Sequence, residues 1–141
     1  MEFRRAADED IALLAELNRQ LIEDEGHANP MSVIELENRM RAWLVRPYAA
    51  VLFVSDGTTV GYALYRTENA GIFLRQFFIC RDQRRKGHGR AAMDLLFERI
   101  WPAGTMVNLE ALCSNRAGVA FWHALGFEDY ALTLRRRIPN D

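Results

Sequence analysis

IFLRQFFICRDQRRKGHGRAAMDLLFERI, residues 72–100, is the stretch whose reading decides the fold. Residues 72–79 form a nearly continuous apolar run broken only by Arg75 and Gln76, the pattern of a central strand with a functional interruption. From about Gly87 onward, Met93, Leu96, Phe97 and Ile100 recur at helical spacing, and Pro102-Ala103-Gly104 ends that helix. Between strand and helix lies Arg84-Arg85-Lys86-Gly87-His88-Gly89-Arg90. Backbone N–H groups at a helix start lack intrahelical partners and converge on one spot, so the turn can receive an anion. Gly87 and Gly89 let phosphate oxygens approach that backbone, and the helix dipole and basic side chains add favourable charge. The segment reads as a pyrophosphate cradle; its plain alternative is a tight turn with a solvated basic face. Two other phosphate loops do not fit. Ala92 stands where a dinucleotide fingerprint has its third small residue, but no acidic residue ends the next strand, and Lys86 precedes Gly87, so no Gly-Lys-Ser/Thr exists.

Working outward, residues 3–5 can form a first strand, and Asp8 can cap a helix whose Leu14, Leu17 and Leu21 share a face and which ends near Gly26. Gly26-His27-Ala28-Asn29-Pro30 must be a loop, because Pro30 disfavours helix at Asn29. Ser32 and Glu35 make a capping box for a second helix with Leu36, Met40, Trp43 and Leu44 as its apolar stripe. Residues 49–54 and 60–66 flank Asp56-Gly57 and read as a hairpin. Downstream, residues 106–112 read as a strand, 115–125 as a short helix stopped by Gly126, and 130–138 as a final strand. The order predicts an α/β fold, a mixed central sheet of about six strands with four helices.

The 141 residues suit one domain, 1–141, with a proper core. A net charge of -1 provides no chain-wide footprint for nucleic acid, so the positive clusters at 81–90 and 135–137 point to a local anion such as a phosphate-bearing small molecule. Residues 1–10 lack the apolar run of a signal peptide, and no stretch approaches the roughly 20 apolar residues needed to cross a bilayer. A cytoplasmic protein without membrane partner is the expectation. Cys80 and Cys113 have neither metal-ligand spacing nor the density of a disulfide framework, so reduced thiols and no metal are expected.

Arg84, Gly87 and Gly89 match Arg/Gln-x-x-Gly-x-Gly/Ala, and Asn115, Ala120, Phe121, Gly126 and Phe127 match an Asn, Ala, aromatic-pair, Gly-Phe helix. In both motifs, and in their spacing, the chain resembles the GNAT superfamily of N-acetyltransferases. That resemblance implies an acyl-CoA-binding fold with acetyl-CoA as co-substrate. It implies that Phe77, Phe78 and Ile79 bond the pantetheine arm through backbone groups, that Arg84, Arg85, Lys86, Gly87, His88, Gly89 and Arg90 hold the pyrophosphate, and that Asn115 and Trp122 lie against the cofactor. Asn115 alone also reads as a helix N-cap.

Transfer from a thioester to an amine needs a neutral amine, a site for negative charge on the carbonyl oxygen, and a proton for the departing thiolate. By the same resemblance, the Ile79 N–H polarises the carbonyl, and Glu110 stands where some peptide-acetylating members carry the base; a half-buried position is expected for it. Glu25, His27 and Gln76 are lesser candidates for base or substrate contact. Many members place a tyrosine second in the aromatic pair, whereas this chain has Phe121-Trp122, and an indole N–H is no proton donor near neutral pH. Tyr130, Cys113, water or unassisted thiolate departure remain. For the acceptor, Glu23, Asp24 and Glu25 would attract a cationic amine, or Arg75 would bind a carboxylate. A non-catalytic acyl-CoA-binding regulator is the alternative. Members usually follow the Gly-Phe helix end with two strands, while 14 residues follow Phe127. An unpaired apolar edge at Tyr130, Leu132 and Leu134 predicts a homodimer.

Overall fold

The computed structural model describes residues 1–26, 29–69 and 71–140. Two compact units arise, Met1–Glu110 and Ala111–Asp141. In the first, strand β1 (Glu2–Arg5) leads through a 3-10 turn (Asp8–Asp10) into helix α1 (Ile11–Asp24) and helix α2 (Val33–Val45). Strands β2 (Tyr48–Ser55), β3 (Thr58–Glu68) and β4 (Gly71–Ile79), helix α3 (His88–Leu95) and strand β5 (Met106–Leu109) follow. The sheet order is β1-β2-β3-β4-β5, antiparallel except for the parallel β4–β5 pair.

Local chemistry explains most of these boundaries. Ser32 and Glu35 form the expected reciprocal capping box at the start of α2. The N-cap of α1 is Asp10, not Asp8, but its carboxylate serves the preceding 3-10 turn: it accepts from the Ala7 N–H at 2.8 Å and from Arg4 Nη1 at 2.7 Å. Asp56 and Gly57 both have positive φ, 52° and 77°, the backbone of a two-residue hairpin turn matched to strand twist. The α3 helix closes through a π turn (Leu96–Ile100), with the Trp101 N–H bonding the Leu96 carbonyl at 2.8 Å.

Strand alternation divides the core. Tyr48, Ala50, Leu52, Tyr62, Leu64 and Phe78 pack with Ile11, Leu14, Leu17 and Met40 of the first two helices. Tyr65 meets Trp101 edge to face at 5.4 Å, and Phe53 meets Phe77 at 6.1 Å. Truncating a wholly buried member such as Leu52 to alanine removes about 2–5 kcal/mol.

The second unit holds helix α4 (Arg116–Ala124), and in this unit Trp122 meets Phe121 and Phe127 edge to face, with centroids 4.9 and 5.5 Å apart. Among the described residues the expectation of about six strands is corrected to five. Residues 130–138 form no strand, because a strand exists only through a hydrogen-bonded neighbour and this segment has none; Tyr130, Leu132, Leu134 and Ile138 are all over four-fifths exposed. The fifth strand is also shorter than the expected 106–112.

Candidate active site

The site begins with a register shift. Leu64 faces Gln76 and Tyr65 faces Leu74, so Arg75 is an extra residue on β4 with no opposite number on β3. A bulge bends its strand and re-aims the side chain. Both effects follow here. Strand β5 pairs with β4 only from Gly71 to Leu74, so beyond the bulge no strand among the described residues pairs with that edge of β4. The Arg75 side chain turns to the same face as its neighbour Gln76: its guanidinium lies over the rings of Trp43 and Tyr48, while Gln76 Oε1 accepts from the Tyr62 hydroxyl at 2.8 Å.

Hydrogen-bond parity tells which backbone groups the open edge presents. The Cys80 N–H bonds the Val60 carbonyl at 2.8 Å, so Phe78 and Gln76 direct their N–H and C=O toward β3, and Phe77 and Ile79 direct theirs toward the opening. Gly61, opposite Ile79, permits this pairing: a Cβ there would lie 2.1 Å from the Phe78 carbonyl oxygen.

The strand then runs through a 3-10 turn (Arg81–Gln83) to the basic loop. Gly87 caps α3 with φ 77°, a left-handed conformation that glycine adopts without steric cost, and nothing lies within 4 Å of where its Cβ would be. Arg85 holds φ 63°. The N–H groups of His88, Gly89 and Arg90 start the helix without intrahelical partners. Arg85, Lys86 and Arg90 have no carboxylate partner among the described residues, which leaves their charge available to an anion at that helix start.

Arg84 is committed differently from the other motif residues. Its guanidinium pairs with Asp24 at the end of α1, its Nε donates to the Ile79 carbonyl at 2.9 Å, and it lies over the Phe78 ring. Arg81 pairs with Asp24 as well. Burial pushes the Asp24 carboxyl up, but the hydrogen bonds from Arg81 and Arg84 outweigh it and hold it below the ordinary carboxylate range. Arg84 is therefore a clip between α1 and the end of β4. Its carbonyl bond leaves the Ile79 N–H as the polar group facing the opening.

Beside this edge lies a second cluster. Asn18 on α1 is wholly buried, and its Oδ1 accepts from Arg39 Nη2 at 3.0 Å. Arg39 lies over the Trp43 ring at 4.4 Å. The Tyr48 hydroxyl receives Arg66 Nη1 at 2.6 Å and Arg75 Nη1 at 3.3 Å. Burial holds the Tyr62 hydroxyl far above its ordinary value, so it donates to Gln76 and does not ionise. Of these, only Arg75 and Gln76 stood out in the sequence. Asn18 carried a faint signal, a polar residue one position from Leu17 and four from Leu14 on the apolar face of a helix.

Glu25 is exposed at the C-cap of α1, and His27 lies outside the described residues. Glu110 follows the end of β5 and is exposed, in contrast to the half-buried strand position expected. In the second unit, Asn115 is the N-cap of α4, accepting from the Gly118 N–H at 3.1 Å, and a Cβ at Gly118 would collide with that side chain. Trp122 packs between Phe121 and Phe127, and Tyr130 is 93% exposed. Burial and the Asp82 charge raise the Cys80 thiol above its ordinary value, which keeps it protonated; Cys113 is exposed. Among the described residues no group of acidic, histidine and cysteine side chains is arranged to hold a metal ion.

The model of the acetyltransferase (GNAT) family matches residues 12–127, and the chain belongs to that family. No curated protein matches. Among solved structures, a mutant of the BH1408 protein of Bacillus halodurans is similar with a TM-score of 0.81 at 17% identity, covering 99% of this chain and 100% of that one. The aminoglycoside N-acetyltransferase AAC(6')-Iy in complex with CoA has a TM-score of 0.76 at 16% identity, over 97% of this chain and 93% of that one. A predicted acetyltransferase from Clostridium acetobutylicum with acetyl-CoA has a TM-score of 0.74 at 16% identity, over 96% and 95%. At such identities the likeness is one of fold. No helix among the described residues is long and apolar enough to cross a membrane.

Proposed function

We propose that the chain is an N-acetyltransferase that moves the acetyl group of acetyl-CoA to a primary amine of a small molecule or peptide by direct transfer in a ternary complex. The observation that carries this reading is the open β4 edge, which runs past Phe77 and Ile79 straight into the basic loop and the first turn of α3. An extended amide-bearing arm can pair with that edge as a strand would, while its pyrophosphate meets the helix N-terminus. Acetyl-CoA would supply the thioester that donates the acetyl group. The chain's own residues bind and orient it: the backbone of Phe77 and Ile79 along the arm, the N–H groups of His88, Gly89 and Arg90 with Arg85 and Lys86 at the phosphates. The Ile79 N–H stands ready to polarise a carbonyl. Family pattern assigns Asn115 and Trp122 to the cofactor as well.

For proton transfer, Glu110 is the proposed base, with Glu25, Gln76 and His27 as substrate contacts and Tyr130 as donor to the thiolate. A single cytoplasmic acetyltransferase domain over 1–141, acting as a homodimer, completes the reading. The dimer rests on the exposed alternation of Tyr130, Leu132 and Leu134, which a second copy would cover. Light scattering at low micromolar protein should return about twice the mass of one chain; the mass of one chain, unchanged by concentration or acetyl-CoA, would rule the dimer out.

A broad amine screen following thiol release from acetyl-CoA tests the activity. Turnover on any amine supports it, and tight acetyl-CoA binding with no turnover across peptides, polyamines and amino acids favours a non-catalytic regulator, the reading that Trp122 in place of a tyrosine keeps open.

A further inference from the structure

We propose that Arg39 and Arg75 form a clamp for a carboxylate of the acceptor, so that the substrate is an amine that also carries a carboxylate group. The inference rests on the acetyl-transfer reading and names the substrate class of the same site.

Two guanidinium groups from different elements, Arg39 of α2 and Arg75 of the β4 bulge, are both held over one indole ring, at 4.4 and 4.8 Å from the Trp43 centroid. Neither has a carboxylate partner among the described residues. Stacking on Trp43 orients each fork without neutralising it. The cluster also holds a polar atom with nothing to bond: Arg39 Nε is buried without a hydrogen-bond partner, whereas the wholly buried Asn18 lies against the Tyr62 hydroxyl. A buried unpartnered donor costs free energy that an incoming acceptor removes, and planar guanidinium forks match a carboxylate bidentately. Burial and the charge of Arg75 push the Arg39 guanidinium below its ordinary value.

The surroundings argue against the opposite charge class. Of the three carboxylates at the end of α1 that would attract a cationic acceptor, Glu23 and Asp24 are already neutralised within the fold, while Glu25 is exposed and its charge reaches the Tyr62 hydroxyl. Glu23 pairs with Arg19 at 2.9 Å and with Arg81 at 3.6 Å, and Asp24 pairs with Arg81 and Arg84. A carboxylate set on Arg75 lies one residue from Gln76 and four from Ile79 along β4.

The test uses the full chain and matched acceptors. Thiol release from acetyl-CoA is followed for a panel of α- and ω-amino acids, for the amide and methyl ester of each, and for polyamines. In parallel, binding of acetate, succinate and inorganic phosphate is read by tryptophan fluorescence, with Trp43→Phe as the control that removes the signal. The free acids should exceed their amides and esters roughly 10- to 100-fold in kcat/KM, the size of one lost charge-assisted bond or more. Arg75→Gln, at an exposed position, should abolish that preference and weaken succinate binding by the same factor while leaving acetyl-CoA affinity unchanged; Arg39→Gln should do likewise.

Turnover of polyamines that Arg75→Gln does not alter, with no preference for free acids, overturns the clamp and leaves acetyl transfer standing. Succinate binding that depends on Arg75, without turnover of any amine, supports the clamp and overturns acetyl transfer. Phosphate binding tighter than succinate and lost in Arg75→Gln, which separates it from the phosphate cradle at α3, overturns the carboxylate assignment.

Discussion

Replacing Gly87 by alanine isolates what one backbone angle does for the phosphate cradle. Gly87 sits at φ 77°, and a Cβ there would meet nothing within 4 Å, so the substitution adds no clash and charges only the left-handed conformation. That conformation costs an L-residue about 1–2 kcal/mol. If the loop keeps its shape, the cost falls wholly on stability, a drop of roughly 3–8 °C in Tm for a domain of this size. If alanine lets the unliganded loop relax to negative φ, the cost falls on binding, as a roughly 5- to 30-fold loss of acetyl-CoA affinity. The two losses must sum to about 1–2 kcal/mol either way, because both describe the same angle in the liganded state. Thermal unfolding with and without acetyl-CoA at about 100 times its Kd, where an intact site gains about 2.7 kcal/mol, measures both halves of the sum. Gly87→Asn should lose less, since asparagine visits this region more readily. A Gly87→Ala protein with wild-type stability and wild-type affinity would refute the reasoning, as would an asparagine variant harmed more than the alanine one.

Gly61→Ala should do more damage than Gly87→Ala, because its Cβ would lie 2.1 Å from the backbone oxygen of Phe78 and the two strands must part; chemical denaturation showing equal stability for the two variants contradicts this. Asp10 is nearly buried and accepts from Arg4 Nη1 and the Ala7 N–H; the Arg4 bond holds its carboxyl below the ordinary value against burial. A depressed carboxyl contributes fully above its unfolded pKa of about 4 and loses that contribution as pH falls through the folded value. Asp10→Asn should therefore be less stable than wild type at pH 7, with the gap closing below about pH 4; a gap that widens on acidification would show the sign to be wrong. Glu110→Gln, by the proposed base role, should lower the rate most at pH values below the amine pKa and leave acetyl-CoA affinity alone, and an unchanged pH–rate profile removes Glu110 from the mechanism.

The sequence by itself determined those parts that depend on neighbours along the chain. The Ser32 and Glu35 capping box, the Asp56-Gly57 turn, the glycine-bearing basic loop ahead of α3 and the Asn115 cap are all written within four residues, where side-chain chemistry acts directly on φ, ψ and the first helical N–H groups. Periodicity supplied the helices and the five strands of the sheet, although the segment at 130–138, equally alternating, formed none: alternation says which face a strand would bury, and a strand also needs a partner. Tertiary structure alone decided the site. Arg75 is a bulge residue only because Leu64 pairs with Gln76 and Tyr65 with Leu74, a matter of register between two strands. Arg84, one of the motif residues for phosphate, is drawn instead to Asp24, 60 positions away, and Arg39 reaches Asn18 across 21. Such pairings carry no local signature, because the chemistry of an arginine is the same wherever it stands, and only packing selects which of many possible partners lies within a few ångströms of it.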